Sequence, residues 1–146
     1  MLIIGIDPGA SGGIAFNNGT APYAHKMPET EADLKELLLS ETSAPCFAYL
    51  ELVHAMPKQG VTSSFNFGRN YGFIRGILIG MEIPFEDVRP QQWQKMMGCM
   101  TKGDKNVSKQ KAQQLFPGLT GITHFMADAL LIAEYGRRLR AGEFSK

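Results

Sequence analysis

The chain has 146 residues, 44% of them hydrophobic and 20% charged, with a formal net charge of +1. That length supports one domain with a real core and excludes two enzymatic lobes, and the composition is ordinary for a soluble globular chain. No run of roughly eighteen apolar residues exists and Met1 leads straight into an apolar segment, so the expectation is a cytoplasmic protein without a signal peptide or membrane span.

Leu2-Ile3-Ile4-Gly5-Ile6 is short and β-branched, which predicts a buried strand over residues 2–7 that ends on the first carboxylate of the chain, Asp7. Pro8-Gly9-Ala10-Ser11-Gly12-Gly13 then turns the chain. Residues 13–17 predict a second strand, Asn17-Asn18-Gly19 a hairpin turn, and residues 22–27 a third strand. Pro28-Glu29-Thr30 precedes an amphipathic helix over about residues 30–40, with Leu34, Leu37 and Leu38 on one face. Cys46-Phe47-Ala48-Tyr49-Leu50 is another apolar strand, and it too ends on a carboxylate, Glu51.

After a loop over 52–62, a helix predicted from 63 to 80 carries Gly68, Gly72 and Gly76 at four-residue steps. Each glycine costs a helix about 1 kcal/mol relative to alanine. Close approach of another backbone explains such a file, either a second copy of the chain or the protein's own sheet. A short strand at 85–88 and helices over about 90–98, 108–115 and 122–140 complete the chain, the last with Arg137, Arg138 and Arg140 in its final turn. Three hairpin-joined strands followed by strands alternating with helices imply one mixed sheet covered by helices.

Charge is unevenly spread. Residues 27–56 hold six acids and one lysine, Lys35, whereas residues 89–111 hold Arg89, Lys95, Lys102, Lys105, Lys109 and Lys111 against Asp104 alone. A basic segment on a near-neutral protein is either a local anionic contact or a solvated loop. The two cysteines, Cys46 and Cys99, read as free thiols. Zinc-ligand spacing, a GxxxxGK[ST] phosphate loop and a Gly-x-Ser-x-Gly turn are all absent.

Three acids stand where acids are locally unwelcome: Asp7 and Glu51 at strand ends, and Asp128 within Met126-Ala127-Asp128-Ala129-Leu130-Leu131-Ile132-Ala133. Gathered together without counter-charge they would cost on the order of several kcal/mol. Hard oxygen donors of this kind suit Mg²⁺ or Mn²⁺. His124, four residues before Asp128, faces the same way on the helix and is a further ligand, a base near an attacking water, or a helix-start residue bonded to backbone. Such a site hydrolyses phosphodiesters with two ions, Asp7 bridging them and Glu51 and Asp128 holding one each. Lys58, Arg69 and Arg75 are candidate phosphate contacts, and Met56 or Phe67 a wedge between bases or a tucked surface residue.

Ile6-Asp7-Pro8-Gly9, Leu50-Glu51 and Ala127-Asp128-Ala129-Leu130 occur in the order found in the RuvC-like Holliday junction resolvases of the RNase H-like superfamily, which the chain resembles over about residues 2–138. Glu51-Leu52-Val53-His54-Ala55-Met56-Pro57-Lys58-Gln59-Gly60 and the glycine-rich helix resemble the bacteriophage branch. The resemblance implies an RNase H-like α/β fold, a mixed five-stranded sheet flanked by helices, as a single nuclease domain over 1–146. It implies a homodimer that nicks symmetric strands of four-way junctions, with forks and flaps as further substrates, using two Mg²⁺ or Mn²⁺ ions per site. Recombination and repair in a bacterial host's cytoplasm follow if the protein is phage-encoded.

Carried over by position, Asp7, Glu51 and Asp128 match the metal-binding acids and His124 the fourth ligand, at an offset of four where three is usual. The lysines before the last helix match phosphate contacts; Lys109 fits best, with Lys102, Lys105 and Lys111 near it. Two other functions compete. A junction-binding protein with weak or no nuclease activity suits the near-neutral charge and the histidine in place of an acid. A phosphotransferase is suggested by Asp7-Pro8-Gly9-Ala10-Ser11-Gly12-Gly13, which resembles the phosphate loop of sugar kinases and actin-like ATPases, but those need two lobes.

Overall fold

The computed structural model of the chain describes residues 1–43, 45–54 and 56–144. Five strands form one sheet: β1 (Leu2–Asp7), β2 (Gly13–Asn17), β3 (Tyr23–Lys26), β4 (Cys46–Glu51) and β5 (Phe85–Val88), in the order β3-β2-β1-β4-β5. The hairpin-joined strands pair antiparallel, while β4 pairs parallel with β1 and β5 parallel with β4, each reached through a helical crossover. Five helices flank the sheet: α1 (Glu31–Glu41), α2 (Val61–Gly80), α3 (Pro90–Met97), α4 (Lys105–Leu115) and α5 (His124–Arg140). This is the mixed α/β architecture expected.

Alternation along the central strand decides which side chains meet which helices. Ile4 and Ile6 pack on the side of α1 and α2, with Leu34, Leu38, Ile74 and Leu78. Ile3 belongs to the opposite core with Tyr49, Trp93, Ala112 and the apolar run of α5 from Ala127 to Ala133. Asp7 shares parity with Ile3, and Glu51 with Tyr49, so both carboxylates project toward the α5 side.

Three helix starts differ from expectation, each for a local reason. Helix α4 begins at Lys105 because Asp104 caps it, accepting the Asn106 N–H at 2.9 Å. Helix α5 begins at His124, after Gly121 takes φ 73° and Ile122 is buried separately. Helix α2 begins at Val61 behind Gly60. The glycine file of α2 does not rest on the sheet: Ile74 and Leu78 take that face, while a side chain built at Gly68, Gly72 or Gly76 would meet open space. Sheet packing is therefore excluded as the reason for those glycines. No helix among the described residues is long and apolar enough to cross a membrane.

Candidate active site

The register that pairs Ile6 with Leu50 places Asp7 and Glu51 at the same end of adjacent parallel strands. Helix α5 is pressed onto β1 at Gly5, where a Cβ would collide with the Ala129 carbonyl and the Ala133 backbone. Only glycine permits that approach. Gly13, opposite Asp7 in the β1–β2 pair, lies against the Phe125 carbonyl. The N-terminal end of α5, carrying His124 and Asp128, is thereby held over the carboxylate end of β1. Gly12 completes the enclosure, since any side chain there would strike the Asp7 carboxyl group. Asp7 is 9% exposed.

The electrostatics record this crowding. Burial, then repulsion from Asp128, pushes the Asp7 carboxyl up to about 6, against the opposing pull of the Gly9 N–H at 3.2 Å and of Lys105. Glu51 is pushed to about 8 by burial and by Asp7, with Asp128 adding to the rise and the Trp93 N–H and Lys105 opposing it. Asp128 is raised by burial and held back by the Ser108 hydroxyl, Lys105 and His124. The Ser108 hydroxyl is near enough to exert that pull, yet Ser108 Oγ and Asp128 Oδ1 are both buried without completing a hydrogen bond. Three acids destabilised in their charged forms, one with an orphaned oxygen, form an incomplete set of charges.

Among the described residues no group of three His, Cys, Asp or Glu side chains is arranged to hold a metal ion as it stands. The donor set nevertheless fits a hard divalent cation, which would relieve the mutual repulsion and engage the orphaned Asp128 oxygen. His124 is exposed at the first position of α5, and its charge acts on Asp128; among the described residues no backbone hydrogen bond holds its ring.

The basic candidates separate. Lys105, at the start of α4, acts on all three carboxyl groups, whereas Lys109 and Lys111 are half-buried further along α4 and Lys102 is exposed in the preceding turn. Lys105 thus stands closer to the acids electrostatically than Lys109, which the resemblance favoured. Lys58 is exposed at φ 69° in the loop after β4, and Arg69 lines a cavity of about 260 Å³ with Pro8, Met27, Thr30 and Phe73. Arg75 is corrected: it is bound to Asp87 at 2.6 Å and lies over the Phe85 ring, locking α2 to β5. Met56 is 67% exposed in the loop and Phe67 half-buried on α2; Ala55, within the same stretch, lies outside the described residues.

Two contributors were missed from the sequence. Trp93 donates its indole N–H to Glu51 Oε1 at 2.9 Å. Lys26, at the end of β3 opposite Gly13, lies over the Phe125 ring beside His124. The only signal for Trp93 was an indole on the apolar face of a short amphipathic helix, where its N–H needs an acceptor. For Lys26 there was none.

No family model matches the chain, and no curated protein matches it. Solved structures do. Thermus thermophilus RuvC in complex with Holliday junction substrate is similar at TM-score 0.66 and 17% identity, with 97% of each chain covered. A second Thermus thermophilus RuvC structure gives TM-score 0.65 at the same identity and coverage. At that identity the likeness establishes the fold, a RuvC-type α/β sheet, over nearly the whole chain.

Proposed function

We propose that the protein is a metal-dependent, structure-selective endonuclease that nicks symmetric strands of Holliday junctions and related branched DNA, with the chain acting as one RNase H-like nuclease domain. The observation that carries this is the gathering of Asp7, Glu51 and Asp128, each raised by burial, at one end of the sheet under Lys105. The RuvC fold supports the substrate class, since that neighbour is held with a Holliday junction.

Asp7, Glu51 and Asp128, with His124 as a fourth ligand or a base, would hold two Mg²⁺ or Mn²⁺ ions, which would supply an activated water and stabilise the leaving oxygen. Asp7, on the central strand and held by the Gly9 N–H, would be the ligand shared by the two ions. Lys105 counters charge on the bound phosphate, and Lys58, Arg69, Lys102, Lys109 and Lys111 extend the basic track for the flanking backbone. His124, exposed at the first position of α5 one turn before Asp128, would serve as that fourth ligand or as the base for the attacking water. A homodimer is supported by the bare stripe of α2: Val61, Phe65 and Ile79 are exposed alongside Gly68, Gly72 and Gly76. Two-fold symmetry would then present two sites to two strands.

The test is a cleavage panel of four-way junction, fork, flap and linear duplex in each metal, with Asp7→Asn beside the wild type. Asp7→Asn should keep junction binding and lose more than the roughly 10–100-fold that an outer-shell change costs. Undiminished cleavage by that variant would remove the metal assignment. Exposed His124 at the fourth ligand place favours one second reading, a junction binder with little nuclease activity. A bound but intact junction in both metals would select it.

A further inference from the structure

Trp93 is the one tryptophan of the chain and is fully buried. Its N–H donates to a carboxylate that lies 42 residues earlier in sequence, on a different element. The indole is held by its surroundings. Leu52 N–H donates to the Val88 carbonyl at 2.8 Å, tying the chain just after Glu51 to the end of β5 just before α3. Gln92 Nε2 donates to the Tyr135 hydroxyl at 2.9 Å, tying α3 to α5. Trp93 also sits in the core that contains Val88, Met97, Cys99, Ala112 and Leu131. Packed this way, the donor has no freedom to follow the carboxylate; the carboxylate must orient to the donor.

A carboxylate with one oxygen claimed by a fixed N–H keeps the other for a further partner. We propose that Trp93 is a positioning residue: its indole N–H engages Glu51 Oε1 so that Glu51 offers its remaining oxygen, Oε2, to a divalent cation shared with Asp7. This rests on the metal-dependent function proposed above. Trp93 touches neither cation nor DNA in this scheme; it acts through Glu51. Partners in this outer position fix ligand geometry, and their loss costs about 10–100-fold in metal affinity or activity. Because the chain has a single tryptophan, its fluorescence reports on the surroundings of this one indole.

The experiment uses the full chain and Mn²⁺ alone, with free Mn²⁺ read by electron paramagnetic resonance and bound Mn²⁺ by quenching of the Trp93 emission. Two replacements are compared. Trp93→Phe removes the N–H and some volume. Incorporation of β-(3-benzothienyl)alanine through a tryptophan auxotroph keeps the volume, removes only the N–H, and alters no other residue. Wild-type emission should respond to Mn²⁺ over the same concentrations at which resonance shows binding. Both replacements should weaken Mn²⁺ binding by about 10–100-fold, the benzothienyl protein with a wild-type unfolding midpoint. Wild-type Mn²⁺ affinity in the benzothienyl protein would overturn the positioning role, whatever Trp93→Phe does; if the wild type still cuts junctions, the nuclease reading survives that result. A wild type that binds Mn²⁺ but leaves every branched DNA intact would end the nuclease reading without touching Trp93. A wild type that binds no Mn²⁺ would end both.

Discussion

Asp7 and Glu51 keep their protons to about pH 6 and about pH 8 because burial and mutual repulsion disfavour their charged forms. The consequence for stability has a definite sign. Unfolding lets both titrate near the ordinary carboxyl value of about 4, so between about pH 4 and pH 8 the folded state binds more protons than the unfolded state. Stability of the metal-free protein should therefore fall as pH rises through that window. Glu134 works in the opposite direction: Arg137, Arg138 and Asn17 hold its carboxyl below the ordinary value, and its contribution is lost on acidification. Thermal unfolding in chelator should show a maximum near pH 4–5 and a decline toward pH 8, and Asp7→Asn should flatten the decline. A melting temperature rising from pH 5 to pH 8 would contradict the electrostatic description of the site. The three acids themselves were legible from sequence, since a carboxylate ending an apolar strand stands out against its neighbours. Trp93 was not, because an indole on the apolar face of a helix is indistinguishable from core until its N–H acceptor is seen.

Packing of whole elements rests on a few contacts, and two of them can be tested directly. At Gly5 the α5 backbone touches β1, so Gly5→Ala forces a methyl into the Ala129 carbonyl and the Ala133 backbone. Overpacking of this kind costs about 1–3 kcal/mol, and here the obstacle is backbone rather than a flexible side chain. Denaturant unfolding should register at least that loss, and junction cleavage should fall with it because α5 carries Asp128. On α2 the glycines face outward beside exposed Val61, Phe65 and Ile79. Gly72→Glu should leave chain stability within about 0.5 kcal/mol, the usual range for a surface change, yet convert the proposed dimer to a monomer by light scattering. An unchanged mass in the variant would remove this face as the contact. Every strand and helix was legible from apolar periodicity and turn residues. Helix starts were less so: Asp104 caps α4 ahead of the basic segment, and a cap reads in sequence like any loop aspartate.

The molecule as a whole carries a net charge of +1, so under the proposed function its attraction for DNA would come from where the charge lies. Lys105 acts on all three carboxyl groups while Arg75 is consumed by Asp87. Junction affinity should fall steeply with salt, and Lys105→Ala should lower the slope of log affinity against log salt by about 1, the loss of one phosphate contact. An unchanged slope would place Lys105 off the DNA path; Arg75→Ala should leave the slope alone and destabilise the fold instead. By itself the sequence determined the element order and the mixed sheet, and it singled out the three acids as candidates, because periodicity and the misfit of a carboxylate in an apolar run are local properties. Tertiary structure decided what those residues face: Lys105 rather than Lys109 toward the acids, Arg75 toward Asp87, the α2 glycines toward open space, and Trp93 toward Glu51. Those outcomes depend on strand register and on how closely α5 approaches β1 at Gly5, distances between residues far apart in the chain that no local pattern encodes.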